Sequence, residues 1–79
     1  MEKEIEKKIY EIAGLVLGLS PTALNLSSST ESVEGWDSAK HIDLILALED
    51  EFNIEFDEKK VLEMLNLKLI FEAVKELKL

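Results

Sequence analysis

The residues best suited to chemistry stand together in "GWDSAKH", residues 35–41. Ser38 offers a hydroxyl, Asp37 a carboxylate, and His41, the sole histidine, an imidazole three residues after the serine. Serine catalysis asks for more than these residue types. A base must reach the hydroxyl, a third group must orient that base, and backbone N–H groups must receive the oxyanion. Here no glycine-rich turn supplies an oxyanion hole. His41 falls on the inward or rim side of the same helix as Ser38, where packing is the expected role. Asp37 and Ser38 are both good helix caps, so the pair also has a plain structural reading. An autonomous hydrolase is therefore not expected, and neither is a metal centre. The chain has no cysteine, and no ligand set surrounds His41. Glu49, Asp50 and Glu51 point in different directions around a helix, which suits at most a weakly held divalent cation.

The elements that position these residues are legible from periodicity. Ile5, Ile9, Ile12 and Val16 repeat at helical spacing and predict a first helix over Glu2–Leu17, with acids near its positive end and Gly18 as its stop. The pattern then dissolves from Gly18 to Asp37. Pro21, a serine cluster and Gly35 mark a long loop, with Leu24, Leu26 and Val33 as its apolar anchors. "SPTAL" suits a short helical turn, and "SSST" reads as a flexible stretch. A second helix is expected over Ser38–Phe52, "NIEFD" as a turn, and a short helix over Glu58–Leu65. Asn66 is a sound N-cap for a last helix, Leu67–Leu77, facing inward through Leu67, Phe71 and Val74. The expected fold is all-α: a small irregular four-helix bundle with three main helices, one short helix and a long first loop. Residues 1–79 are expected to form one domain.

The second helix is apolar on two sides. At about 100° per residue, Leu44, Leu48 and Phe52 fall within roughly 80° of one another, with Ile45 alongside. Ala39, Ile42 and Leu46 form another stripe centred roughly 150° away. A single core contact needs only part of a helix circumference, so the second stripe requires another buried surface or a partner. Two readings stand side by side. The short third helix covers the strip, or the strip is a docking face with Asp43 and Asp50 on one flank and Glu49 on the other.

Charge favours a protein partner. The net charge is −8, with nine lysines and no arginine, and eleven acids and only three lysines lie between Glu31 and Glu63. Nucleic acid is a poor partner for such a segment, because phosphate binding needs clustered cations. A basic protein surface would be drawn to it and steered on approach. No signal peptide and no run of roughly 20 apolar residues is visible, so a soluble cytoplasmic monomer is expected.

These residues resemble the acyl carrier proteins. The likeness covers nearly the whole chain: a leading amphipathic helix, a long loop with an early proline, then glycine, one variable residue and Asp-Ser. An acidic helix ending in "LALEDEF" follows, then "NIEF", a short helix and a closing helix. "GWDS" placed ten residues before "LEDEF" in a net-acidic chain of this length is the specific signal. The resemblance implies that Ser38 carries 4′-phosphopantetheine, transferred from coenzyme A by a separate phosphopantetheinyl transferase that reads a motif including Asp37. The arm's thiol would hold acyl groups as thioesters for fatty-acid-like, polyketide or specialised acyl-transfer biosynthesis. The chain would be a carrier and not an enzyme. Its partners would be acyltransferases, synthases or acyl-activating enzymes with basic docking patches, meeting Trp36, Ala39, Ile42, Asp43, Leu46, Glu49 and Asp50. A lysine at position 49 or 50 would slow partner reactions and leave the fold intact. An acyl chain would find shelter between loosely filled helices.

Some residues depart from the family pattern. Ala39 stands where a leucine is usual, and that leucine is a common apolar contact for partners. Lys40 and His41 add positive character just after the serine, and Trp36 replaces the small residue most common in dedicated fatty-acid carriers. "GWDS" is more like free-standing carriers of specialised pathways. The competing reading is an unmodified carrier-fold interaction module, whose partner binding would be indifferent to loss of the Ser38 hydroxyl.

Overall fold

Four α-helices organise residues 2–78, the residues described by the computed structural model. They are α1 (Glu2–Leu17), α2 (Ser38–Phe52), α3 (Glu58–Glu63) and α4 (Leu67–Lys78), with a short 3₁₀ turn at Pro21–Ala23. α1 lies against both α2 and α4. Ile9, Leu44, Leu48, Met64, Leu67, Ile70 and Val74 form the fully buried centre, so the architecture is the all-α irregular bundle that the periodicity requires.

α1 buries Ile5 and Ile9 as expected, but Ala13 and Gly14 take the innermost places further along, while Ile12 and Val16 are only partly covered. Small residues there let the following chain fold back against the helix. The Leu19 N–H donates to the Gly14 carbonyl at 2.8 Å, and a Cβ added at Gly14 would stand 2.6 Å from the Leu19 carbonyl oxygen. Gly18 reverses the chain at φ 73°, a conformation open to glycine without steric cost. Ser20 then caps the 3₁₀ turn expected from "SPTAL".

The long loop is stitched down rather than flexible. Leu24 is buried, and Leu26 and Val33 are partly covered, as the anchor reading requires. The serine cluster, however, is a structural seam. Ser28 is buried and its hydroxyl accepts the Asn25 N–H at 3.0 Å. Its carbonyl accepts the Leu67 N–H at 2.9 Å, the Thr30 N–H donates to the Leu65 carbonyl at 3.0 Å, and Ser29 forms an antiparallel bridge with Asn66. Short polar side chains are used here because they satisfy nearby backbone groups where a loop meets a helix start. The same seam corrects the end of α3. Met64 caps the helix and Leu65 and Asn66 pair with the loop, so α3 stops at Glu63 instead of Leu65.

Local signals set the other boundaries. Asn53 ends α2 in the left-handed conformation, φ 55°. The Asp57 carboxylate accepts the Lys60 N–H at 2.7 Å and starts α3, and the Asn66 amide oxygen accepts the Leu69 N–H at 2.8 Å and starts α4. Along α4 the inward residues are Leu67, Ile70, Ala73 and Val74. Phe71, expected inside, is only partly buried and lies under the Lys75 ammonium at 4.9 Å.

Two predictions follow from the packing. Alanine normally outranks glycine inside a helix by about 1 kcal/mol. At position 14 the order reverses, because the methyl meets backbone. Gly14→Ala is expected to destabilise by about 1–3 kcal/mol, read as a lowered Tm, and a raised Tm would show that the Leu19 turn yields freely. Glu49 is not a free rim acid, since its carboxylate accepts the Phe56 N–H at 2.8 Å and holds the turn after α2. The expectation that Glu49→Lys spares the fold is therefore corrected. Urea unfolding should show a loss of about 1–2 kcal/mol for Glu49→Lys and a change within about 0.5 kcal/mol for the exposed Asp50→Lys.

Candidate functional site

Asp37 and Ser38 divide the work at the tip of α2. Asp37 is the N-cap: its backbone is extended and its carboxylate accepts the Lys40 N–H at 2.9 Å. Ser38 is the first helical residue and is exposed, and with capping done by its neighbour its hydroxyl is not needed to close the helix end. A nucleophilic oxygen at this place looks into solvent from the positive end of a 15-residue helix, where an attached anion is favoured. Gly35, at φ 91°, makes the bend that brings the loop into this tip.

His41 is not a base for Ser38. It is buried, and both ring nitrogens are committed. The Trp36 indole N–H donates to His41 Nδ1 at 3.1 Å, and Nε2 lies 2.9 Å from the Val61 carbonyl. An indole nitrogen can only donate and a carbonyl can only accept, so the pattern fixes the neutral ring protonated on Nε2. The ring centroids of Trp36 and His41 are 6.0 Å apart. This relay ties the pre-serine loop to α2 and α2 to α3, and it confirms His41 as a packing residue.

Trp36 is corrected in turn. At 3% exposure it is covered, and it does not offer a face to partners as the docking reading expected. Its bulk instead floors a groove of about 400 Å³ beside Ser38. Ile42 forms one side of the groove, and Val61, Leu62 and Leu65 form the other. The α3 side of this groove was missed in the sequence. The available signal was the same as in α2, apolar residues on more than one face of a helix too short to bury them all.

The second apolar stripe of α2 is open. Ile42 is 50% and Leu46 59% exposed, and Ala39 is exposed as well, so α3 does not cover them. Asp43 and Asp50 are exposed on the same side, at helical spacing from Ala39 and Leu46. The result is a greasy strip with a carboxylate flank running down α2 from Ser38. Among the described residues no three histidine or carboxylate side chains gather as metal ligands, and no helix is long and apolar enough to cross a membrane.

The sequence is also similar to those of known proteins. The family described as "Phosphopantetheine attachment site" matches residues 7–74. An acyl carrier protein of Buchnera aphidicola subsp. Baizongia pistaciae (strain Bp) is 32% identical over 74 residues, covering 94% of this chain and 95% of that protein. A carrier of 4′-phosphopantetheine, and not a catalyst, is what a match of this extent describes, and the chain belongs to the acyl carrier protein family.

Proposed function

We propose that Ser38 is the residue to which 4′-phosphopantetheine is attached, and that the exposed strip of α2 is where partner enzymes dock. The observation that carries the first half is the division of labour at the helix tip. Asp37 caps the helix, leaving an exposed hydroxyl at its positive end. These residues fit the group. A phosphodiester on Ser38 would sit at the favourable end of the α2 dipole, and the adjoining apolar groove gives an arm a surface to lie on. The arm supplies a thiol that holds acyl groups as thioesters. Asp37 both caps the helix and stays exposed, so recognition by a transferase adds a second role to the same carboxylate.

The second half follows from charge and exposure. Ala39, Ile42 and Leu46 offer a small apolar contact, and Asp43 and Asp50 edge it with negative charge. A shuttle needs brief encounters, and electrostatic steering raises association rates more than it tightens complexes. The short side chain of Ala39 suits partners that do not insert against a bulky residue at that point. The pathways it best suits are specialised acyl transfer, fatty-acid-like or polyketide biosynthesis, and the partners are a phosphopantetheinyl transferase and acyl-handling enzymes with basic patches.

Incubation with coenzyme A, Mg²⁺ and a broad-specificity phosphopantetheinyl transferase should add the mass of one phosphopantetheine. The addition should be lost in Ser38→Ala. A folded wild-type protein that gains no mass would point instead to an unmodified interaction module. Charge reversal gives an independent check. Asp43→Lys and Asp50→Lys should each slow loading several-fold at low ionic strength, with the difference shrinking as salt screens the encounter. Equal rates at low salt would remove the acidic flank from the docking surface.

A further inference from the structure

The space between α2 and α3 next to Ser38 is filled by an ordered polar pair. Trp36 and His41 are buried there, bonded to one another, and His41 reaches across from α2 to the Val61 carbonyl on α3. An acyl chain entering the bundle from Ser38 at this end would have to part that contact. It would break a buried indole–imidazole bond and a partly buried imidazole–carbonyl bond, and an alkyl chain could replace neither partner. The core beyond is already occupied by side chains with no exposed surface to give up, Leu48, Met64 and Ile70 among them. Outside the pair the situation is the opposite. Ile42, Leu62 and Leu65 line the groove that also contains Ser38, and all three are exposed.

We propose that Trp36 and His41 are a specificity-determining plug that closes the route into the bundle and leaves the acyl cargo on the surface, against Ile42, Leu62 and Leu65. The proposal rests on the reading of Ser38 as the attachment point, from which the groove is continuous. Cargo held this way is shielded on one side only, which suits short or polar-bearing acyl groups better than long saturated chains. It also places cargo and partner contact side by side, because Ile42 belongs both to the groove and to the open strip of α2. A docking enzyme would therefore meet the acyl group without first drawing it out of a core.

The test loads the whole chain, through its transferase, with the bare arm, a butanoyl arm or a dodecanoyl arm. Intact mass is confirmed before methyl NMR spectra are compared. The expected result is chain-dependent shifts at the methyls of Ile42, Leu62 and Leu65, none at Ile9, Leu48 and Ile70, and a changed Trp36 emission. In His41→Ala, dodecanoyl loading should move the core methyls too. Core shifts in the wild type, still groove methyls in the wild type, or still core methyls in a folded His41→Ala would each overturn the plug. If His41→Ala does not fold, the wild-type comparison decides alone. Absence of the added mass strikes at Ser38 itself, and the placement of cargo falls with it. A loaded protein with core shifts overturns only the plug.

Discussion

A helix that is apolar on two sides can bury only one of them in a bundle this small, and that constraint on α2 organises the molecule. One stripe, Leu44, Ile45, Leu48 and Phe52, is buried against the other helices. The opposite one stays in solvent beside exposed acids. What holds α2 in this attitude at its N-terminal end is the chain of hydrogen bonds from the Trp36 indole through His41 to the Val61 carbonyl. It fixes the pre-serine loop, the first turns of α2 and α3 relative to one another. The Trp36–His41 bond is buried and the His41–Val61 bond partly so, and an unpaired partner is costly where water is excluded.

The rest of the fold supports that tip. The loop from Gly18 to Asp37 has no regular secondary structure beyond one short turn, yet backbone bonds tie its Thr30 N–H to Leu65 and its Ser28 carbonyl to Leu67 at the start of α4. Those bonds shorten α3 and draw Leu65 to the wall of the groove beside Ser38. At the other end, Glu49 holds the Phe56 N–H and sets the approach to α3. The surface ion pairs Lys8–Glu51 and Lys75–Glu2 are solvated and contribute little by comparison. Neighbouring carboxylates on one helix thus differ in use, Glu49 spent on the fold and Asp50 left in water.

Most of the helices were legible in the sequence because their signals are local. Ile5 and Ile9 repeat at helical spacing, Asn66 and Asp57 cap, and Gly18 reverses the chain. The candidate site was legible to the extent that it is local too. "GWDS" and the acids of α2 sit in one continuous segment, and Ser38, Ala39, Ile42, Asp43, Leu46 and Asp50 all prove exposed. What was not legible depends on contacts outside the helical repeat. Trp36 and Glu49 look like surface residues in one dimension, but Trp36 is buried and bonded to His41, and Glu49 accepts the Phe56 N–H. Likewise nothing in "SSST" announces that its backbone will meet Leu65 and Leu67. The inward turn at Ala13 and Gly14 is invisible to a search for large apolar residues, because there closeness and not bulk makes the contact.

The central claim is that the exposed hydroxyl left over at the capped tip of α2 is a tether. Peptide mapping by mass spectrometry of the protein isolated from its native host tests it most directly. The account predicts that the fragment containing Ser38 bears a phosphopantetheine increment. An unmodified Ser38 throughout that material, or the increment on any other residue, would contradict it.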